Sequence, residues 1–210
     1  MDTNSGISIG KRPASFWQRH PFLKDVLGLI VFVVGIFLAT FALWTFVFRT
    51  YNVVGSSMKT TLMPDDRVIV NRLPVSWAHL RRQEYVPERG QIVVFSNPSY
   101  RPGDKEQFII KRVIAFPGER VQVKDGVMKV FNDDFPNGFY PDDDFGGLPT
   151  LYTTGDLDEK IPEGALFVAG DNREGNQSFD SRNGLGLVPF YDVIGPVTMR
   201  VFPIGEARFF

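Results

Sequence analysis

Cysteine is absent from the 210-residue sequence, which excludes disulfide bonds, thiol catalysis and cysteine-ligated metal sites. Histidine is nearly absent, since His20 and His79 are the only two. A histidine metal site, or a triad of serine, histidine and aspartate, would therefore have to use one of these residues.

Excess charge of either sign is also lacking. The formal net charge is −1, which gives no reason to expect a nucleic-acid partner. With 43% hydrophobic and 22% charged residues, the composition is that of a folded chain and not of a disordered one. The length suits one domain of ordinary size together with a tail or an anchor.

Charge is missing altogether from residues 26–48, VLGLIVFVVGIFLATFALWTFVF. A helix of this length, at about 1.5 Å per residue, crosses the hydrocarbon core of a bilayer. A buried core helix is rarely apolar on all sides over such a length. The run is also too long for the apolar core of a cleaved signal peptide, and the RTYNVV that follows offers no small-residue cleavage site. These residues therefore predict an uncleaved transmembrane signal anchor.

Positive residues are concentrated before this anchor. Lys11, Arg12, Arg19 and Lys24 precede it, whereas Arg49 alone follows it closely. The positive-inside rule places residues 1–25 in the cytoplasm as an N-terminal tail. Residues 50–210 are then the extracytoplasmic domain of a single-pass protein, outside the plasma membrane or in the equivalent space of an organelle membrane with the same topology.

Long helical periodicity is missing after the anchor, where short apolar runs alternate with turns that contain Gly or Pro. VQVKDGVMKVFN (121–132) gives the strongest hairpin signal, with Asp-Gly between two alternating runs. Further strands are predicted within 66–72, 90–98, 107–118, 164–172 and 193–202, and 76–84 is compatible with a short helix. The predicted fold is mainly β, with a single N-terminal transmembrane helix followed by a β-rich domain.

Residues 132–162 break this pattern because Asp, Asn, Gly and Pro dominate them. A calcium-binding loop, a small lid and a solvated insertion between strands are all compatible with that composition. The acidic residues lack the Asp-x-Asp-x-Asp-Gly spacing of a dedicated calcium loop, which favours the solvated insertion.

One lysine lies inside the apolar strand FIIKRVIAF. Alternation places Lys111 on the same face as Ile109, Val113 and Ala115, and Arg112 on the other face. On an apolar face, desolvation would lower the pKa of the lysine amine and favour its neutral form, which is a good general base. A lysine that reaches solvent at a sheet edge, or that pairs with a carboxylate, is the more common outcome of such a pattern.

Two adjacent serines, Ser56 and Ser57, follow the anchor in VVGSSMKTTL (53–62). A serine nucleophile needs a base within hydrogen-bond reach. His79, in the polar-flanked VSWAHLRR, is typical of a surface or packing residue, which leaves a lysine as the remaining candidate base. Gly-Ser-Ser is most often a turn or a cap, so the pair alone does not establish a nucleophile.

Five segments in order resemble the sequence boxes of the type I signal peptidases, which are membrane-bound Ser/Lys leader peptidases. The segments are GSSMKTTL, DDRVIVNR, RGQIVVFSNP, IIKRVIAFPGE and AGDNREGNQSFDSRNGLGLVP. Each box alone is modestly specific, but five in the same order, behind an anchor, are strongly specific. The resemblance extends over residues 26–200 and outweighs the purely structural interpretations of the two serines and of Lys111.

The resemblance implies that Ser57 is the nucleophile, because the family's catalytic serine directly precedes Met, and that Lys111 is the general base. It implies that the backbone N–H of Ser57, and as a further donor Ser56, form the oxyanion hole. It also implies that the Ser178 hydroxyl hydrogen-bonds the lysine amine.

Two supporting ion pairs are implied in the same way. They join Asp180 to Arg182 close to the site, and Asp171 to Arg112 at a more remote position. The pocket walls are expected to include Met58 and apolar residues near Ile109 and Val113.

The implied function is removal of N-terminal signal peptides from exported preproteins, with cleavage after small residues at positions −1 and −3. The reaction is acyl transfer by a Ser/Lys dyad, which needs no metal and no organic cofactor. The expected partners are signal peptides and the lipid bilayer, and the expected state is a monomer. Ser57 lies nine residues after Phe48, a distance of at most about 30 Å, so it must act near the outer membrane surface.

Three departures from the family pattern concern the site. Thr60 stands where Pro is usual, so a less rigid turn is expected after the nucleophile. Gly55 stands where some members carry a Ser whose hydroxyl contributes to the oxyanion hole. The segment between Arg173 and Ser178 is two residues longer than usual, which loosens the alignment of Ser178.

Three other functions fit parts of the pattern. They are a self-cleaving repressor-like protease, a maturation peptidase dedicated to one pilin or conjugation substrate, and an anchored domain that binds preproteins without cutting them. The anchor disfavours the first, and the presence of both Ser57 and Lys111 disfavours the third. The sequence leaves the dedicated peptidase open.

Overall fold

The computed structural model describes residues 20–103, 107–144, 152–175 and 177–210. The chain divides into two compact units, Met1–Leu43 and Trp44–Phe210. Most of the described part of the first unit belongs to one long helix, and the second unit holds all of the strands.

Helix α1 (Pro21–Phe46) contains most of the predicted anchor. It carries no charged residue after Asp25, and none of its residues is buried. In the described part of the chain it is the one helix that is long and apolar enough to cross a membrane. The helix begins at Pro21 instead of residue 26 and ends before residue 48, because Phe48 already belongs to a strand.

Eleven strands follow in the described residues: β1 (Phe48–Asn52), β2 (Arg67–Asn71), β3 (Ile92–Ser96), β4 (Phe108–Ala115), β5 (Arg120–Lys124), β6 (Val127–Phe131), β7 (Leu157–Lys160), β8 (Ala165–Ala169), β9 (Val188–Pro189), β10 (Val193–Phe202) and β11 (Arg208–Phe209). A short helix, α2 (Leu73–Leu80), and three 3-10 turns (Pro141–Asp144, Phe190–Asp192 and Ile204–Glu206) complete the described elements. The prediction of a mainly β fold behind an apolar N-terminal helix is confirmed. The strands β1, β7, β9 and β11 were not predicted.

The strands form two antiparallel sheets. The larger has eight strands in the order β1-β2-β10-β3-β4-β8-β9, with β11 paired to β10, and the smaller has the order β6-β5-β7. Strand β10 pairs with β3 through its first half and with β2 through its second half, so it joins two parts of the larger sheet. The predicted hairpin is β5–β6, closed by the two-residue turn Asp125-Gly126.

The smaller sheet packs against the larger one. Val121, Val123 and Met128 of the smaller sheet share a core with Ile114 and Phe167 of β4 and β8. A register shift on β4 between Val113 and Ala115 brings Ala115 into this core beside its neighbour Ile114. Strict alternation, which had placed Ala115 on the face of Lys111, therefore ends at this irregularity.

The segment 132–162 is more integrated than a wholly solvated insertion. Phe139 forms an isolated bridge with Val130, and β7 extends the smaller sheet by pairing with β5. Asp142 is 1% exposed. Residues 145–151 lie outside the described residues. These contacts correct the expectation of a solvated insertion. Composition had favoured that expectation, because composition does not show which acidic residue has a buried partner.

Candidate active site

The turn that carries Ser57 is anchored by apolar side chains that pack in the core. We call residues 53–62 the serine turn. Met58 is 1% and Leu62 0% exposed, and both pack in a core with Val68 and Val94. The backbone closes on itself, because the N–H groups of Thr61 and Leu62 both donate to the carbonyl of Met58, at 3.1 and 2.8 Å. The backbone of Ser57 is thereby anchored to the apolar core by buried neighbours, while its own side chain remains partly exposed.

Lys111 reaches Ser57 from the middle of β4. The lysine is 4% exposed and faces Val93 across the β3–β4 ladder. Its Nζ donates to the Oγ of Ser57 at 2.8 Å and to the carbonyl of Ile110 at 3.0 Å. The structure thus brings together a hydroxyl and an amine that are 54 positions apart in the sequence.

A cavity of about 630 Å³ opens beside this pair. Its wall is formed by two stretches of chain, residues 51–58 and 107–111, together with Gln177 and Phe179. Met58 and Ile109 line it, as expected from the sequence. Val113 does not, because it lies in the apolar core with no exposure.

One wall of the cavity is an unpaired strand edge. Strand β4 pairs with β3 from Phe108 to Arg112, whereas β8 covers its other side only from Arg112 onward. The edge of Phe108–Lys111 therefore faces the cavity without a partner strand among the described residues. Such an edge can accept an extended peptide as an added strand.

The loop after β8 holds the serine turn in place. The backbone N–H of Asn172 donates to the carbonyl of Ser57 at 2.9 Å, and its side-chain amide donates to the carbonyl of Ser56 at 3.1 Å. Gly170 lies so close that a Cβ there would collide with the Ser178 hydroxyl and with the Ser57 carbonyl oxygen. Neither Asn172 nor Gly170 was singled out from the sequence, although both belong to the last of the five sequence boxes, AGDNREGNQSFDSRNGLGLVP.

We expect Gly170→Ala to lower, by about 10²-fold, the rate of the preprotein cleavage that the resemblance implies, because an added methyl must displace the backbone that carries Ser57. The effect is one of crowding, since Gly170 does not adopt a left-handed φ. Gly205→Ala is the matched control, with nothing within 4 Å of the added Cβ. Steady-state rates of both variants, with circular dichroism to verify folding, check the prediction. Equal rates for the two variants would contradict it.

The two expected ion pairs form. Arg112 holds Asp171 with two hydrogen bonds, from Nε at 2.8 Å and from Nη2 at 2.6 Å, and also donates to the Thr61 hydroxyl at 3.2 Å. Arg182 holds Asp180 from Nε at 3.1 Å and Nη2 at 2.7 Å. Asp171 therefore ties the loop to β4 and the serine turn. Asp180 in turn accepts the N–H of Gly170 at 3.0 Å.

A third buried pair was missed by sequence reasoning. Arg173 donates from Nη1 to Asp142 Oδ2 at 2.8 Å, and its Nη2 lies 2.6 Å from Asp142 Oδ1. Both side chains are almost fully buried, at 0% and 1% exposure. Arg173 also donates to the carbonyl of Gly170 at 3.2 Å. The pair therefore connects the insertion to the loop that holds the serine turn.

Asp142→Ala should lower the free energy of unfolding by about 3–5 kcal/mol, because it leaves the Arg173 guanidinium buried without its counter-charge. Asp143→Ala, at the exposed neighbouring position, should cost about 0.5 kcal/mol or less. Urea unfolding of the full chain in detergent measures both. Similar midpoints for the two variants would show that the ion pair contributes little to stability.

Ser178 does not make the bond that the resemblance implied. Its side chain is 1% exposed, and its Oγ has no hydrogen-bond partner among the described residues, so no bond to the Lys111 amine is formed. The position is close to the site all the same, because Ser178 and Ser57 both approach Gly170. The segment between Arg173 and Ser178, which is two residues longer than in the family pattern, lies directly before Ser178.

The departures at Gly55 and Thr60 correspond to unusual backbone. Gly55 has φ +80°, a left-handed conformation that favours glycine. Thr60 has φ +87°, which the proline ring, fixed near −65°, cannot adopt. The turn after the nucleophile therefore differs in conformation from one built around proline, and is not simply a more flexible version of it.

Two polar groups of the serine turn have no hydrogen-bond partner among the described residues. No acceptor among the described residues takes the N–H of Ser57, and none bonds the Ser56 hydroxyl, which is half-buried. These are the groups that the resemblance assigned to the oxyanion hole.

Comparison with known proteins identifies the family. The family profile described as "Signal peptidase, peptidase S26" matches residues 24–202. The chain belongs to this signal peptidase family. It is 32% identical to signal peptidase I of Bacillus licheniformis over 206 residues, with 96% of each protein covered. It is 34% identical to the probable signal peptidase I-2 of Synechocystis sp., over 86% of this chain and 72% of that protein.

A crystal structure of a signal peptidase I from Enterococcus faecalis aligns with 54% of this chain and 97% of its own, at 28% identity and a TM-score of 0.38. Membership of the signal peptidase family makes the chain a peptidase, which confirms the enzyme class that the five boxes predicted.

Proposed function

We propose that the chain is a membrane-anchored serine endopeptidase that removes signal peptides from exported preproteins with a Ser57–Lys111 dyad. The contact of 2.8 Å between Lys111 Nζ and Ser57 Oγ, at the wall of a cavity with an unpaired strand edge, carries the proposal. His79, the one histidine in the catalytic domain, is exposed on α2 and lies outside the cavity lining.

The first chemical step is proton transfer from Ser57 Oγ to the neutral amine of Lys111, while Oγ attacks the scissile carbonyl. The N–H of Ser57 and the Ser56 hydroxyl stabilise the resulting oxyanion, each contributing about 3–4 kcal/mol in a well-formed hole. The protonated lysine then gives its proton to the leaving amine. Lys111 next activates a water molecule that hydrolyses the acyl-enzyme.

Burial supports Lys111 as the base. An amine that is 4% exposed is largely removed from water, which disfavours its charged form. The buried carboxylates of the neighbouring loop, Asp171 and Asp180, are each held by an arginine with two hydrogen bonds. Each carboxylate therefore already has a guanidinium partner, Arg112 for Asp171 and Arg182 for Asp180.

The cavity suits an extended segment with small side chains. A peptide added along Phe108–Lys111 would place the side chains at −1 and −3 on one face and that at −2 on the other, since strand residues alternate. Met58 and Ile109 line the cavity together with Ser57. We therefore propose that small residues are required at −1 and −3.

Helix α1 is proposed as the membrane anchor, with residues 1–25 in the cytoplasm and residues 50–210 outside. Its length and lack of charge after Asp25 support a membrane span, and the excess of positive residues before it supports the orientation. Monomeric action and independence of nucleic acid and of cofactors remain part of this proposal.

The test is cleavage, in detergent, of a preprotein with Ala at −3 and −1, with the new N-terminus mapped by mass spectrometry. We expect a single cut after the −1 residue. Replacing the −1 alanine by Phe should abolish that cut, whereas Phe at −2 should leave it nearly unchanged because that side chain faces away. Equal tolerance of Phe at −1 and −2 would contradict the proposed binding mode. No cut in any preprotein would overturn the proposed function.

A further inference from the structure

Two aromatic rings and an arginine meet at the rim of the cavity beside Ser57. Tyr51 and Phe108 both line the cavity, and their ring centres lie 5.5 Å apart. The guanidinium of Arg49 lies 5.5 Å from the centre of each ring. Arg49 and Tyr51 are two residues apart on β1 and therefore share a face of that strand. The rings thus hold an exposed arginine beside the cavity. We call these three residues the rim cluster.

The positive charge of the rim cluster is not neutralised within the described part of the chain. No carboxylate there forms a salt bridge with Arg49. None of the described residues that line the cavity is Asp or Glu. A second cation is close, since burial raises the pKa of the Tyr51 hydroxyl whereas Arg49 and Arg72 act to lower it. A ligand in the cavity therefore meets uncompensated positive charge at this rim.

Strand register shows which substrate residue reaches the rim cluster. In the proposed binding mode, the residue at −1 lies beside Ser57 and Lys111. Phe108 precedes Lys111 by three residues on β4, which is about 10 Å along a strand. A peptide that follows this edge therefore brings residue −4 level with Phe108 and residue −5 just beyond it. Alternation places the −5 side chain on the same face as those at −1 and −3.

We propose that Arg49 binds an acidic side chain at position −5 of the substrate and disfavours lysine or arginine there. This inference rests on the proposed function and names a further determinant of its specificity. A planar guanidinium can donate two hydrogen bonds to one carboxylate. Stacking on Tyr51 and Phe108 orders the arginine in advance, which lowers the entropy that binding costs. Because small residues at −1 and −3 recur in many chains, the charge at −5 would select among such sites.

The test measures kcat/KM, in neutral detergent without lipid, for preproteins with Glu, Gln or Lys at −5 and Ala at −3 and −1. Two further preproteins carry Glu or Lys at +3, on the other side of the scissile bond. Arg49→Glu reverses the charge of the rim cluster. Arg81→Glu is the matched control, because Arg81 is also exposed and stacks on a ring, that of Trp77 at 4.8 Å, outside the cavity lining.

We expect the unmodified chain to cleave the preprotein with Glu at −5 about fivefold faster than the one with Lys, with Gln between them. A modest ratio is expected because the charge pair is exposed to solvent. High salt should weaken the preference, since exposed charges are screened. Arg81→Glu should keep the same order, whereas Arg49→Glu should reverse it. The charge at +3 should have little effect on any of the three chains.

Two outcomes would overturn the inference and leave the proposed function intact. One is equal cleavage of the Glu and Lys preproteins by the unmodified chain, or a preference that persists in Arg49→Glu. The other is a charge preference at +3 as strong as that at −5, which would reveal a general attraction instead of a site. If the unmodified chain cut none of the preproteins, the proposed function itself would fail, and this inference with it.

Discussion

Ser57→Ala is expected to lower preprotein cleavage by at least about 10⁴-fold, since removal of a catalytic nucleophile leaves only binding and oxyanion stabilisation. The structure gives reasons to expect a folded variant. Ser57 is only partly buried, and the serine turn is held by Met58, Leu62 and the backbone bonds from Asn172, none of which uses the Ser57 hydroxyl. The measurement is the single-turnover rate on a preprotein with Ala at −1 and −3, at enzyme in excess.

Ser56→Ala is the matched control for that experiment. It removes a hydroxyl from the adjacent position, with the same change in volume, whereas the 2.8 Å hydrogen bond from Lys111 Nζ goes to the Oγ of Ser57. A loss of about 10²–10³-fold is expected, which is the contribution of one oxyanion donor. A Ser56→Ala variant that folds and is as inactive as Ser57→Ala would move the nucleophile by one residue.

Lys111→Arg should reduce the rate by at least about 10³-fold, because a guanidinium stays protonated in proteins and cannot accept the serine proton. The substitution keeps a long cationic side chain, so the test separates loss of the base from loss of charge. The larger head group must fit between Ser57 and the carbonyl of Ile110, both of which the amine contacts.

Lys59→Arg, on the exposed side of the same serine turn, is the control and should keep nearly full activity. The pH dependence of the unmodified chain adds a second readout, since activity should rise with pH as Lys111 loses its proton. Substantial turnover by Lys111→Arg would assign the base to another group. Thermal unfolding of each variant excludes misfolding as the cause of a loss.

Seven of the strands, and the contact between Ser57 and Lys111, were predictable because their signals are local or belong to a motif. The Asp-Gly hairpin appears in twelve consecutive residues, and β4 is an apolar run with one lysine. Proximity of Ser57 and Lys111, in contrast, followed from the family resemblance and not from periodicity, because alternation says only which face a residue takes.

Other features depend on contacts that leave no local signal. Arg173 finds Asp142 across an insertion whose composition is that of solvated loops. Asn172 supports Ser57 chiefly through its backbone N–H, which any residue except proline would supply. Strand β1 is short and largely exposed, so it has neither an apolar face nor an alternating pattern to predict it.

The position of β10 between β2 and β3 affects when Ser57 and Lys111 meet during folding. The serine turn lies next to β2 in the sequence, and Lys111 lies beyond β3. Strand β10 (Val193–Phe202), which joins these two parts of the larger sheet, comes much later in the sequence. Contacts between such distant segments form late, because long loops must close first. We therefore expect the contact between Ser57 and Lys111 to form late in folding, after β10 has joined β2 to β3.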